Sequence, residues 1–191
     1  VTMLTLSKSI IGLTFESCVV KKVCNVNDFL PGKSTNLSNS FCLDATILGQ
    51  DQWSWFEKSI ENSSADMVII LSSIQILAMD HPYEKWGNFP LERKRILKLI
   101  ANASKDKTIL ALSGDRHRSG IYQNEDFIEI TASSLNKSAS KNIETDPLLI
   151  GKTYPIKNFG ILDIEPSKNK VTVSIHDQNG LKLNSKIINI D

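Results

Sequence analysis

Thr108-Ile-Leu-Ala-Leu112, running into Ser113-Gly-Asp-Arg-His117, is the stretch whose reading decides the fold. Five apolar or β-branched residues with no alternation describe a short strand covered on both faces, as in a sheet flanked by other layers. Working backwards, Leu91–Ala103 places Ile96, Leu97, Leu99 and Ile100 at helical spacing, with Pro90 suited to the helix start. Before it, Met67-Val-Ile-Ile-Leu71 repeats the buried-strand pattern and ends in Ser72-Ser-Ile-Gln75. Earlier still, Trp53, Phe56 and Ile60 mark an amphipathic helix that follows Leu48, has Asp51 in its first turn and ends at Asn62-Ser-Ser64. Helix, strand, helix, strand is the rhythm of an α/β layer structure.

Working forwards, the pattern changes after Gly120. Phe127–Thr131, Phe159–Ile164, Val171–Ile175 and Lys186–Ile190 read as strands, and Asn179-Gly180 between the last two is a strong hairpin signal. Residues 136–157, rich in Ser, Asn and Lys, read as a long surface loop. Residues 1–42 carry little periodicity beyond a Pro31-Gly32 turn signal, and there is no internal repeat.

The 191 residues suit one ordinary domain. A formal net charge of +1, with 41% apolar and 23% charged residues, provides no basic field that would favour nucleic acid. Cys18, Cys24 and Cys42 lack the paired spacing of a zinc site and read as ordinary thiols. Ile10–Leu13, the longest early apolar run, is far too short to span a membrane, and Val1 is not an initiating Met.

In open α/β sheets, ligands bind beyond the carboxyl ends of the strands. Gly114 permits a tight exit from the second strand, and Asp115 and His117, two apart, would face one side of an extended segment. A carboxylate and an imidazole suit a cation such as iron, manganese or zinc, while Arg116 and Arg118 can grip phosphate oxygens. Two donors alone do not make a site, and an isolated D-x-H pair more often caps a solvated turn.

Context changes that balance. Ile47–Trp53, Ser72–Gln75, Glu84–Arg93 and Ser113–His117, followed by Glu129–Thr131, Ser133–Asn136 and Asn158–Gly160, occur in the order seen in the PhoD-like (alkaline phosphatase D) family. From about Ala45 onward the chain resembles that family. The resemblance implies a calcineurin-like metallophosphoesterase fold, an α/β/β/α sandwich of two packed mixed sheets flanked by helices, with residues 43–191 as its C-terminal half. It implies a multinuclear centre of calcium with iron, or of manganese or zinc, and hydrolysis of phosphate mono- or diesters. It makes Asp115 and His117 metal ligands and Arg116 a catalytic substrate-holding residue, although Arg116 could equally pair with a neighbouring carboxylate. Gln75 becomes a residue beside the metals or a loop-capping amide.

Other members of these blocks read as structural. Trp86 and Phe89 are expected to pack under a loop, Arg93 to form an ion pair, Asp80 and His81 to be solvated, and His176 to lie on the surface. The earlier aspartates, asparagine and tyrosine or cysteine of the family's metal centre have no counterpart here, and Glu16, Asp28 and Asp44 are only scattered acids. The chain is therefore expected to be an inactive fragment needing the missing half of the same domain, with Met67–Leu71 and Thr108–Leu112 incompletely covered. The rival expectation is a non-catalytic remnant or partner-dependent α/β binding module. Many relatives are exported, but nothing in this sequence names a compartment.

Overall fold

The computed structural model describes residues 46–138 and 142–190, together with the backbone of residues 2–6 and 16–17. Cys18, Cys24, Cys42, Asp28, Asp44 and the Pro31-Gly32 turn lie outside these residues.

Parallel pairing at the centre of the first sheet organises the molecule. Strand β3 (Met67–Ser72) pairs with β4 (Thr108–Ser113) from Met67↔Thr108 to Ser72↔Ser113, and β4 pairs in parallel with β6 (Phe127–Ala132) up to Ser113↔Thr131. Three carboxyl ends therefore emerge along one edge. Strands β1 (Thr2–Leu6) and β2 (Glu16–Ser17) extend the sheet antiparallel beyond β3, and β5 (Ser119–Asn124) and β7 (Leu149–Tyr154) extend it beyond β6, in the order β2-β1-β3-β4-β6-β5-β7. Helices α1 (Gln50–Glu61) and α2 (Pro90–Ala103) match the apolar periodicity read from the sequence.

A second sheet, β8 (Asn158–Glu165), β9 (Lys170–Asp177) and β10 (Lys182–Asn189), is antiparallel throughout. Its hairpin turns at Gly180, whose φ of 86° favours glycine, and the Asp177 carboxylate caps the turn by accepting the Asn179 and Leu181 amides.

The central strands are buried on both faces. Val68, Ile70, Ile109 and Ala111 pack with Trp53, Phe56 and Ile60 of α1 and Ile96 and Ile100 of α2. Met67, Ile69, Leu110, Ile128 and Ile130 pack against Val171, Val173 and Ile175 of β9. Most of the expected uncovered face is covered: every residue from Met67 to Ile70 is 0% exposed, because the helices cover one side and the second sheet covers the other, while Leu71 and Leu112 at the carboxyl ends are only partly buried. Each fully buried side chain of this size contributes roughly 1.5–3 kcal/mol relative to exposure.

Two strands escaped the sequence reading at one edge of the sheet. β7 occupies six residues of the supposed 136–157 loop, and its Gly, Lys and Thr hide its character. β5, Ser-Gly-Ile-Tyr-Gln-Asn, is equally irregular in pattern yet pairs with both β6 and β7. β1 lies in the segment that showed no periodicity.

Glu92 explains part of the Glu84–Arg93 block. Buried on α2, it accepts the Trp53 indole N–H, the Thr46 hydroxyl and the Ile47 and Leu48 amides, so it fixes the entry to α1, which lacks a side-chain cap. Trp86 is fully buried and meets Trp53 edge to face at 6.1 Å, as the packing expectation required.

Candidate functional site at the strand ends

At the end of β4 the Ser113 hydroxyl shares a 2.8 Å hydrogen bond with that of Thr131 on β6. The chain then turns sharply. The Arg116 amide donates to the Gly114 carbonyl at 2.9 Å, closing a three-residue turn over Asp115, whose φ is 67°, and His117 follows at φ 50°. Neither residue is glycine, so each left-handed backbone costs of order 1–3 kcal/mol, and such positions cluster at functional sites. The segment is thus not extended, as the two-residue spacing had assumed. Asp115 and His117 are nevertheless both exposed, while the intervening Arg116 and the following Arg118 are 5% and 3% exposed.

The two inward guanidiniums share one carboxylate. Glu144 accepts from Arg116 Nη2 at 2.5 Å and lies 3.5 Å from Arg118 Nε, while Arg118 Nη1 donates to the Asn142 carbonyl at 2.8 Å. Arg116 also lies over the Tyr83 ring, 4.4 Å from its centroid. Of the two roles expected for Arg116, pairing with a carboxylate is the one seen. The same stretch reaches the loop after β3, where Asp146 accepts the Met79 and Asp80 amides at 2.6 and 3.0 Å. Residues 142–148 therefore tie the two strand-end loops together.

His81 departs from the solvated role expected of it. It is 7% exposed, and its Nδ1 accepts the Tyr83 amide at 3.2 Å. Burial, then the charges of Arg116 and Lys85, push its pKa down to about 3, so the ring is neutral at ordinary pH. Asp80 is exposed, as expected.

The loop after β3 is held by backbone contacts. Gln75 is fully buried, and its amide donates to the Thr131 hydroxyl on β6 at 2.8 Å rather than to a loop backbone group. Glu129 alternates with Ile128 and Ile130 on β6 and so points into the helix-side core, where it accepts the Ile76 and Leu77 amides at 2.9 and 2.6 Å. Burial raises its pKa, against the lowering effect of those amides. Arg93 donates to the carbonyls of the same two residues, Ile76 and Leu77, at 2.8 and 3.1 Å. It grips backbone rather than the ion-pair partner expected for it. A charged residue at a core-facing strand position was the available signal for Glu129; Glu144, in a polar stretch, offered none.

Whether this corner suits a metal depends on its donors. Among the described residues no three His, Cys, Asp or Glu side chains lie together in a way that could hold a metal ion. Asp115 and His117 present two donors of suitable chemistry, which is fewer than a mononuclear catalytic site uses. These residues alone do not fit a multinuclear centre.

The sequence profile described as PhoD-like phosphatase matches residues 21–175, most of the chain. The chain belongs to the PhoD-like phosphatase family. The match begins at residue 21, well before the motifs recognisable from Ala45 onward. Among solved structures, the PhoD-like chain is similar to GAP50, titled the anchor in the inner membrane complex of Plasmodium, with a TM-score of 0.62 and 16% identity over 81% of this chain and 46% of that one. It is also similar to PhoD itself, with a TM-score of 0.57 and 16% identity over 76% of this chain and 37% of that one. These likenesses support the calcineurin-like fold, and the chain spans less than half the length of either. A search of curated proteins finds no match. Among the described residues, no helix is long and apolar enough to cross a membrane.

Proposed function

We propose that this PhoD-like chain carries part of the active site of a metal-dependent phosphoric ester hydrolase acting on phosphate mono- or diesters. The observation that carries the reading is the Gly114–Arg118 turn: two outward donors in a strained backbone, with two buried guanidiniums directly behind them. Asp115 and His117 are the proposed metal ligands, with calcium and iron, or manganese or zinc, as the metals. A bound metal would polarise the phosphoryl group and supply the nucleophile. Arg116, held by Glu144 and Tyr83, contributes positive charge where negative charge develops on phosphate oxygens. Gln75 supports the turn through Thr131 and Ser113 rather than reaching the substrate.

Two ligands do not complete the centre, so the chain on its own is proposed to be inactive, and the remaining ligands must come from outside the described residues. The test is hydrolysis of p-nitrophenyl phosphate and bis(p-nitrophenyl) phosphate, with calcium plus iron or manganese, by a protein that includes those ligands. Asp115→Asn and His117→Ala should each lower turnover and metal content by more than about 100-fold. Unchanged metal content in both variants would remove the reading.

A second reading, a partner-dependent binding module without catalysis, is favoured by one observation. The anchor protein GAP50 aligns over more of the chain, and with a higher TM-score, than PhoD does. Under that reading both substitutions leave metal content untouched.

A further inference from the structure

Near the Gly114–Arg118 turn, and bordered by Thr153, lies an open cavity of about 850 Å³ whose lining includes Ile143, Lys152, Tyr154, Pro155, Ile156 and Lys157. It falls within the size range of small-molecule sites. Its wall is built. The Tyr154 hydroxyl donates to the Leu183 carbonyl at 2.7 Å, and buried Asn158 donates to the Ile156 carbonyl at 2.7 Å, which fixes the turn that carries the lining residues. Thr153, also in the lining, accepts the Glu144 amide at 3.1 Å, so the cavity wall is tied to the backbone of the residue whose side chain holds Arg116. Strand pairing sets Tyr154 opposite Ser119, the residue after Arg118. The cavity and the turn therefore share one end of the sheet.

The lining has two characters. Ile143 and Ile156 are 63% and 44% exposed, and with Tyr154 and Pro155 they offer an apolar surface. Lys152 and Lys157 are exposed, and the Lys152 ammonium stands 5.5 Å from the Tyr154 ring centroid. Asp177, the one acid in the lining, spends a carboxylate oxygen on the Asn179 and Leu181 amides. We infer that this cavity binds an amphiphilic organic anion, its negative group at Lys152 and Lys157 and its apolar arm on Tyr154, Pro155 and Ile156. Placing a phosphoester's apolar arm there rests on the phosphoesterase reading; the binding itself does not.

The probe is 1-naphthylmethylphosphonate, whose carbon–phosphorus bond resists hydrolysis, titrated into the full chain by naphthyl fluorescence polarisation and ligand-observed NMR. Saturable binding is expected, about tenfold or more tighter than that of methylphosphonate or 1-naphthalenemethanol, each of which lacks one half of the probe. The double variant Lys152→Glu/Lys157→Glu should weaken binding by about tenfold or more, while Lys94→Glu/Lys98→Glu, the same charge change on exposed α2 positions, should not. Asp115→Asn/His117→Ala should bind as the unaltered chain does. The inference is overturned if the Lys152/Lys157 variant binds normally, if either half-probe binds equally well, or if the Asp115/His117 variant loses binding, which would put the anion at the turn. If Asp115→Asn and His117→Ala leave metal content unchanged in the protein that includes the missing ligands while this pattern of binding holds, the catalytic reading falls and the cavity stands.

Discussion

The strand-end corner and the β9–β10 hairpin solve the same problem, ending strands at a surface, in opposite ways. In the hairpin, apolar Val171, Val173 and Ile175 face the core while Thr172 and His176 between and beyond them are only partly buried, and the turn closes on its own backbone and a carboxylate three residues from Gly180. Around β3 and β4 the chain instead buries Gln75, His81, Arg116, Arg118 and Glu129, all but His81 bonding groups tens of residues away. The hairpin is stabilised by the hydrophobic effect, which tolerates local change. The corner depends on pairings in which a lost partner leaves a desolvated charge behind.

The largest effect should therefore come from Glu144→Ala. It leaves two nearly buried guanidiniums without their carboxylate and should cost about 3–5 kcal/mol in urea unfolding. Val173→Ala, in the fully buried core of β9, removes only methyl groups and should cost about 2 kcal/mol by the same measurement. If the first costs no more than the second, the contrast between the regions collapses.

His81 sharpens the contrast through pH. Its pKa of about 3 in the fold lies below the ordinary 6.5, so the unfolded chain takes up a proton that the folded one refuses. Its contribution is complete above pH 6.5 and is lost as pH falls from there toward 3, at no more than about 1.4 kcal/mol per pH unit. In His81→Asn the part of this slope between pH 6.5 and 5, above most carboxylate titrations, should disappear from chemical denaturation curves. Gly180→Ala should have the smallest effect, about 1 kcal/mol. An added Cβ meets nothing within 4 Å, and only the positive φ opposes it.

The same contrast explains what could be read from the sequence. Helices α1 and α2, strands β3 and β4 and the Asn179-Gly180 turn were legible because periodicity and turn chemistry are local. Strands β5 and β7 were not, since Gly120, Gly151 and Lys152 interrupt any pattern and pairing with neighbours makes them strands. Asp115 and His117 stood out by residue type and position, but their backbone conformation could not be foreseen. The roles of Glu129 and Glu144 depend on partners 26 to 53 residues distant, a separation at which neighbouring sequence carries no signal.

The sharing of Glu144 by Arg116 and Arg118 sets the electrical character of the turn in front of them. Two guanidiniums against one carboxylate leave a single positive charge unmatched within the buried Arg116–Arg118–Glu144 cluster, which the exposed Asp115 carboxylate beside it in sequence balances. A phosphate or a cation reaching this turn would meet Asp115 in front and the two arginines behind it. Asp115 and His117 alone supply two donors, so a metal held at this turn would need further ligands from elsewhere.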